Sequence, residues 1–212
     1  IGEWADDLSS SVTDRYKRTC EIADSPFELS AADEEFLKQS LTWDNPKDRA
    51  VFTRGFCAKS TSFGHLALLD SWNLMECLFK DTLEDSEYQI MRWAIRTFSV
   101  AQREKFQGFC STRFDKLSPR FFEEVAWYLA STDASPAVIG PWVAWLESVQ
   151  ASSYRRYNLS LLEIASKADD PEVAFAVLRI LLRIKLSFSD RLYTGVLEPE
   201  AAVSASNDYE QG

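Results

Sequence analysis

The chain has 212 residues, 46% of them hydrophobic and 13% aromatic, enough to build a sizeable core and to exclude disorder over most of its length. Its formal net charge of −10 repels phosphate backbones and anionic lipid surfaces, which argues against nucleic-acid and membrane partners. The most apolar stretch, 173–186, is interrupted by Arg179, Arg183 and Lys185 and is too short to span a bilayer.

Glycine and proline each occur only seven times, and no Asn-Gly or Asp-Gly hairpin signal is present. Apolar residues recur instead at helical spacing, so the fold class is all-α. Residues 1–29 carry Trp4, Tyr16 and Ile22 among polar neighbours and read as a partly ordered arm with one helix. The chain begins at Ile1 rather than Met, the expectation for a piece of a longer protein.

A helical domain is expected over 30–195. Ser30 with Asp33 opens a helix over 31–41, and Asn45-Pro46 opens the next over 46–58. A helix over 63–82 aligns Leu69, Trp72, Met75 and Phe79. Then come 87–98 and 100–115, separated by Ser99 and Gln102 as a capping box or fused into one long helix. Ser118-Pro119, Ser135-Pro136 and Asp170-Pro171 start helices over 119–131, 136–150 and 171–187, and one more lies over 154–168 with Tyr154, Tyr157, Leu161 and Ile164 on one side. Pro141 lies inside the 136–150 helix, where it cannot donate to the ladder. A short helix can follow Ser189, and residues 196–212 form an acidic tail expected to be disordered.

The starts Ser118, Ser135, Ser153 and Asp170 are 17, 18 and 17 residues apart. Two such helices make a hairpin of about 35 residues, the size of a helical-repeat unit. Val125-Ala126-Trp127 returns as Val143-Ala144-Trp145. About nine antiparallel helices are therefore expected, either in a repeat-like, α-solenoid (HEAT-like) stack or in an irregular bundle.

Motifs for chemistry are sparse. The one histidine, His65, falls on the core side of its helix, and a nucleophilic relay would need a Ser or Cys within hydrogen-bond reach. Cys20, Cys57, Cys77 and Cys110 show no metal-ligand spacing and read as free thiols of a reducing, intracellular compartment, although the sequon Asn158-Leu159-Ser160 keeps secretion open. Phosphate-binding loops and paired acid/base carboxylates are missing. No enzyme activity, metal or cofactor is expected.

Two tryptophans sit on polar faces of their helices. Trp93 shares a stripe with Gln89, Arg96 and Thr97, and Trp127 with Arg120, Glu123, Glu124 and Ser131. Either a neighbouring helix covers each one, or they are exposed anchors, since tryptophan flanked by charge is a common interface hot spot. Arg92 and Arg96 beside Trp93 would suit an acidic or helical partner peptide, and Arg179 and Arg183 add a second basic pair on a helix that is apolar almost all round. The function expected is a protein–protein interaction domain, scaffold or adaptor, within a larger protein or complex. The alternatives are a viral or pathogen helical structural or effector protein, and an enzyme with a dispersed site.

Overall fold

A computed structural model describes residues 10–25, 28–132, 135–148 and 158–195. Every regular element among them is helical: α1 Ser10–Asp24, α2 Ala31–Leu41, α3 Pro46–Lys59, α4 Phe63–Ser71, α5 Asp85–Ala101, α6 Arg103–Ser111, α7 Pro119–Ser131, α8 Pro136–Ser148, α9 Asn158–Lys167 and α10 Pro171–Gly195. Two 3₁₀ segments, Leu74–Phe79 and Phe114–Lys116, follow α4 and α6. The described residues thus hold ten α-helices where about nine were expected. None is long and apolar enough to cross a membrane.

Local chemistry sets most of the starts. The Asn45 side chain accepts from the Lys47 and Asp48 amides at 2.9 and 3.4 Å, Ser118 Oγ from the Phe121 amide at 3.2 Å, and Asp170 Oδ1 from the Glu172 amide at 2.9 Å. Ser30 Oγ accepts from the Asp33 amide at 3.2 Å and donates to the Asp33 carboxylate at 2.8 Å.

Three boundaries differ from the sequence reading. The 63–82 helix is broken, because Asn73 takes the left-handed conformation (φ 61°) that asparagine tolerates better than most residues, and the chain resumes as a 3₁₀ turn. Ser99 caps nothing. It lies buried inside α5, which starts earlier, where the Glu87 carboxylate accepts the Glu84 amide at 3.0 Å. The break falls at Gln102 instead, so neither a helix over 100–115 nor one long helix forms. The region after Ser189 continues α10 rather than starting a new helix. Tyr154, Tyr157 and the tail 196–212 lie outside the described residues.

The chain divides into two compact units between Glu124 and Val125, inside α7. In the first, α1 packs on α2 and α3, and α3 packs on α5. The helix of the N-terminal segment is held firmly: Thr19, Ile22 and Ala23 are buried. The Arg15 guanidinium lies between the Phe36 and Trp43 rings, 4.7 and 4.4 Å from their centroids, and donates to Ser40 Oγ at 2.9 Å. The core is aromatic, with Phe56, Trp93, Phe98, Phe106 and Phe121 meeting in successive ring contacts at 5.2–6.3 Å. In the second unit α10 packs on α8 and α9, burying Val143, Leu146, Leu161, Ile164 and Val177.

Candidate functional site

A concave feature rich in cations lies where α3 crosses α5. Arg54, Cys57 and Ala58 come from one turn of α3, and Asp85, Tyr88, Gln89, Arg92 and Arg96 from one face of α5. The two stripes follow helical spacing, so each helix offers a continuous wall. Together they line a shallow cleft of about 330 Å³. The Cys57 thiol bridges the floor by donating to the Gln89 carbonyl at 3.7 Å. Burial pushes that thiol well above its ordinary pKa, with Arg96 pulling weakly the other way, so it stays protonated and a poor nucleophile.

Among the lining residues three guanidinium groups stand against one carboxylate, Asp85, and the buried Glu124 behind them meets Arg92. Arg54 lies 3.7 Å from Asp85, and Arg92 3.7 Å from Glu124, distances of ion pairs rather than close hydrogen bonds. Tyr88 forms one wall. Its ring lies between Arg92 and Arg120, 5.6 and 5.3 Å from its centroid, and its hydroxyl donates to Glu124 Oε1 at 2.9 Å. Glu124 is buried and also takes Arg120 at 3.1 Å. Burial first, and then the hydrogen bond to Glu124, raise the Tyr88 pKa, so the wall stays a neutral phenol.

Of the residues singled out in the sequence, Arg92 and Arg96 both line this cleft. Arg54 was missed, because nothing in a linear sequence says that α3 lies against α5. Trp93 is not an exposed anchor. Its relative exposure is 0%, it packs on Phe56 and Phe98, and its Nε1–H donates to the Ser60 carbonyl at 2.8 Å. Its polar helical neighbours misled because α3 and the turn at Ser60 that ends it cover this side of α5. Trp127 is 47% exposed. Arg179 and Arg183 lie in the second unit and bind the end of α8. Arg179 holds the Glu147 carboxylate with two contacts, 2.6 and 3.2 Å, and Arg183 donates to the Glu147 carbonyl at 2.9 Å. A cation on the last turn of α8 satisfies an otherwise unpaired carbonyl. The hydrogen bond from Arg179 holds the Glu147 carboxyl below the usual range.

His65 Nδ1 does meet a serine, Ser60 Oγ, at 2.6 Å. Both residues are buried, and the Ser60 carbonyl is already occupied by the Trp93 indole, so the pair locks the α3–α4 turn. Burial lowers the His65 pKa below its ordinary 6.5. Its contribution to stability is therefore present above that unfolded-state value and is lost as pH falls through the lower folded value. The unfolding free energy from denaturant titration should drop between pH 7.5 and pH 5, by at most about 1.4 kcal/mol per pH unit from this group. The His65→Gln variant should show a shallower fall, and equal slopes in the two proteins would show that His65 contributes nothing.

All four cysteines are free, with Cys57, Cys77 and Cys110 buried. No group of three or more His, Cys, Asp or Glu among the described residues could hold a metal ion. Comparison with protein families, curated proteins and solved structures finds no match for the chain.

Proposed function

We propose that the chain is a non-catalytic protein-interaction domain, a scaffold or adaptor, that receives an acidic segment of a partner protein in the α3/α5 cleft. The observation that carries this reading is the convergence of Arg54, Arg92 and Arg96 on one concave site of a chain whose net charge is −10. Guanidinium groups suit carboxylates because their planar fork can donate two parallel hydrogen bonds, and a concave site excludes some of the water that would weaken them. The Tyr88 ring adds an apolar wall for the aliphatic part of a bound Glu or for a neighbouring side chain.

The packing order also favours a repeat-like stack. α1 meets α3, α3 meets α5 and α8 meets α10, so alternate helices touch in both units. Such stacks offer extended surfaces to partners. The four free thiols are in keeping with an intracellular, reducing location.

The test is titration of the whole chain with fluorescent peptides rich in Asp and Glu, read by anisotropy, against peptides with Asn and Gln in their place. Binding should be confined to the acidic set and should weaken as salt rises. Arg54→Glu/Arg96→Glu should reduce affinity at least about tenfold, a loss of roughly 1.4 kcal/mol. Both side chains reach the surface, so circular dichroism should stay unchanged. If the acidic peptides fail to bind, or if charge reversal leaves affinity intact, the proposal is wrong.

A further inference from the structure

The second unit holds a feature independent of the cleft. α10 buries Val173, Val177 and Ile180 on one side. On the opposite side Phe175, Leu178 and Leu182 are 59%, 46% and 57% exposed. At about 100° per residue, these three fall within about 60° of one another, a single apolar seam. Glu172, Arg179 and Arg183 fall together along one flank of that seam, and all three are exposed.

We infer that this seam is a contact between two copies of the chain, with α10 packed antiparallel on α10 of the second copy. The pattern of charge selects this occupant. In an antiparallel pair related by a two-fold axis, like flanks face each other. Matching Phe175 to Leu182 of the second copy puts the axis at position 178.5, and matching Glu172 to Arg183 puts it at 177.5. The two centres differ by one residue, so at a common register Glu172 and Arg183 of the second copy are offset by two residues, about 3 Å along the helix, within the reach of an arginine. One placement therefore pairs the apolar ends, sets Leu178 beside the axis against its own counterpart, and joins Glu172 to Arg183 at both ends, while Arg179, its charge already met by the Glu147 carboxylate, faces its own counterpart beside the axis. A parallel pair would set this flank against the other one, and Glu172 would meet no arginine from it.

Three apolar side chains from each copy cover less than the roughly 800 Å² per partner of a standard interface. The association is accordingly weak and depends on concentration. Arg183 keeps its bond to the Glu147 carbonyl through Nη1, which fixes the guanidinium at the seam's edge.

Sedimentation velocity on the full chain, from micromolar to millimolar concentration, tests this. The wild type should move from monomer to dimer. Leu178→Glu should stay monomeric with unchanged helix content, because it places two carboxylates together at the axis. Glu172→Arg and Arg183→Glu should each weaken self-association, since each variant alone sets like charges opposite one another at both ends. An equimolar mixture of the two should recover the dimer as a heterodimer, since both ends are then oppositely charged. A chain monomeric at every concentration overturns the inference. So does a dimer indifferent to Leu178→Glu, or a mixture that associates no better than its components. None of these results bears on the α3/α5 cleft, whose test reads peptide binding.

Discussion

Trp93→Ala should be the most damaging single substitution in the first unit, at about 3–5 kcal/mol by urea denaturation followed by circular dichroism. The indole is fully buried, with edge-on contacts to Phe56 of α3 at 5.3 Å and to Phe98 of its own helix at 5.2 Å. Truncation leaves a cavity and also strips the Ser60 carbonyl of its donor at 2.8 Å. The two contributions separate in Trp93→Phe, which keeps an aromatic ring and loses the N–H; this variant should cost about 1–2 kcal/mol. Trp127→Ala, on a side chain 47% exposed, should cost several-fold less. If Trp93→Ala were as mild as Trp127→Ala, the packing described here for α5 would be wrong.

Gly55→Ala should destabilise the protein although alanine is the better helix former. Glycine inside α3 costs about 1 kcal/mol relative to alanine, so an open position would gain from the change. This position is closed: a Cβ on Gly55 would stand 2.7 Å from Tyr16 Cε2 and 3.0 Å from Cys20 Sγ. α1 approaches α3 that closely because nothing projects from Gly55. Overpacking of this kind costs about 1–3 kcal/mol, more than the gain in propensity. The sign should reverse when both contacts are removed, so that Gly55→Ala in a Tyr16→Ala/Cys20→Ala background is neutral or stabilising. A stabilising effect of Gly55→Ala in the wild-type background, read from the same urea midpoints, would contradict the close approach.

Helix starts were legible wherever the signal is local. Asn45, Ser118 and Asp170 cap with their own side chains, and each is followed by a proline already fixed at a helical φ, so a few adjacent residues contain the whole interaction. Interruptions were harder to read. The stripe Leu69, Trp72, Met75 and Phe79 suggests one helix, yet the core takes Leu69 and Met75 through a left-handed Asn73. Periodicity reports which residues want burial, and it does not report whether the chain between them stays helical.

The candidate site was half legible. Arg92 and Arg96 were visible as a pair one turn apart on α5, while their position on a concave surface depends on Arg54 across the α3–α5 contact. The same contact decides Trp93, which the sequence left as either covered by a neighbouring helix or an exposed anchor. Its neighbours along the stripe, Gln89, Arg96 and Thr97, are polar, and a helix read alone would turn that face to water. α10 shows the converse. A nearly all-apolar helix suggests a central, enclosed position, but α8 and α9 cover only one side and leave Phe175, Leu178 and Leu182 exposed.

By itself, then, the sequence determined the all-helical class, the capped helix starts and the core-facing stripes, because hydrogen bonds between near neighbours and a 3.6-residue period are written within a few turns of chain. Tertiary structure alone decided which tryptophan is buried, which arginines share a cleft and which apolar face is left uncovered. Each of those depends on which helix lies against which, and that is set by contacts between residues tens of positions apart.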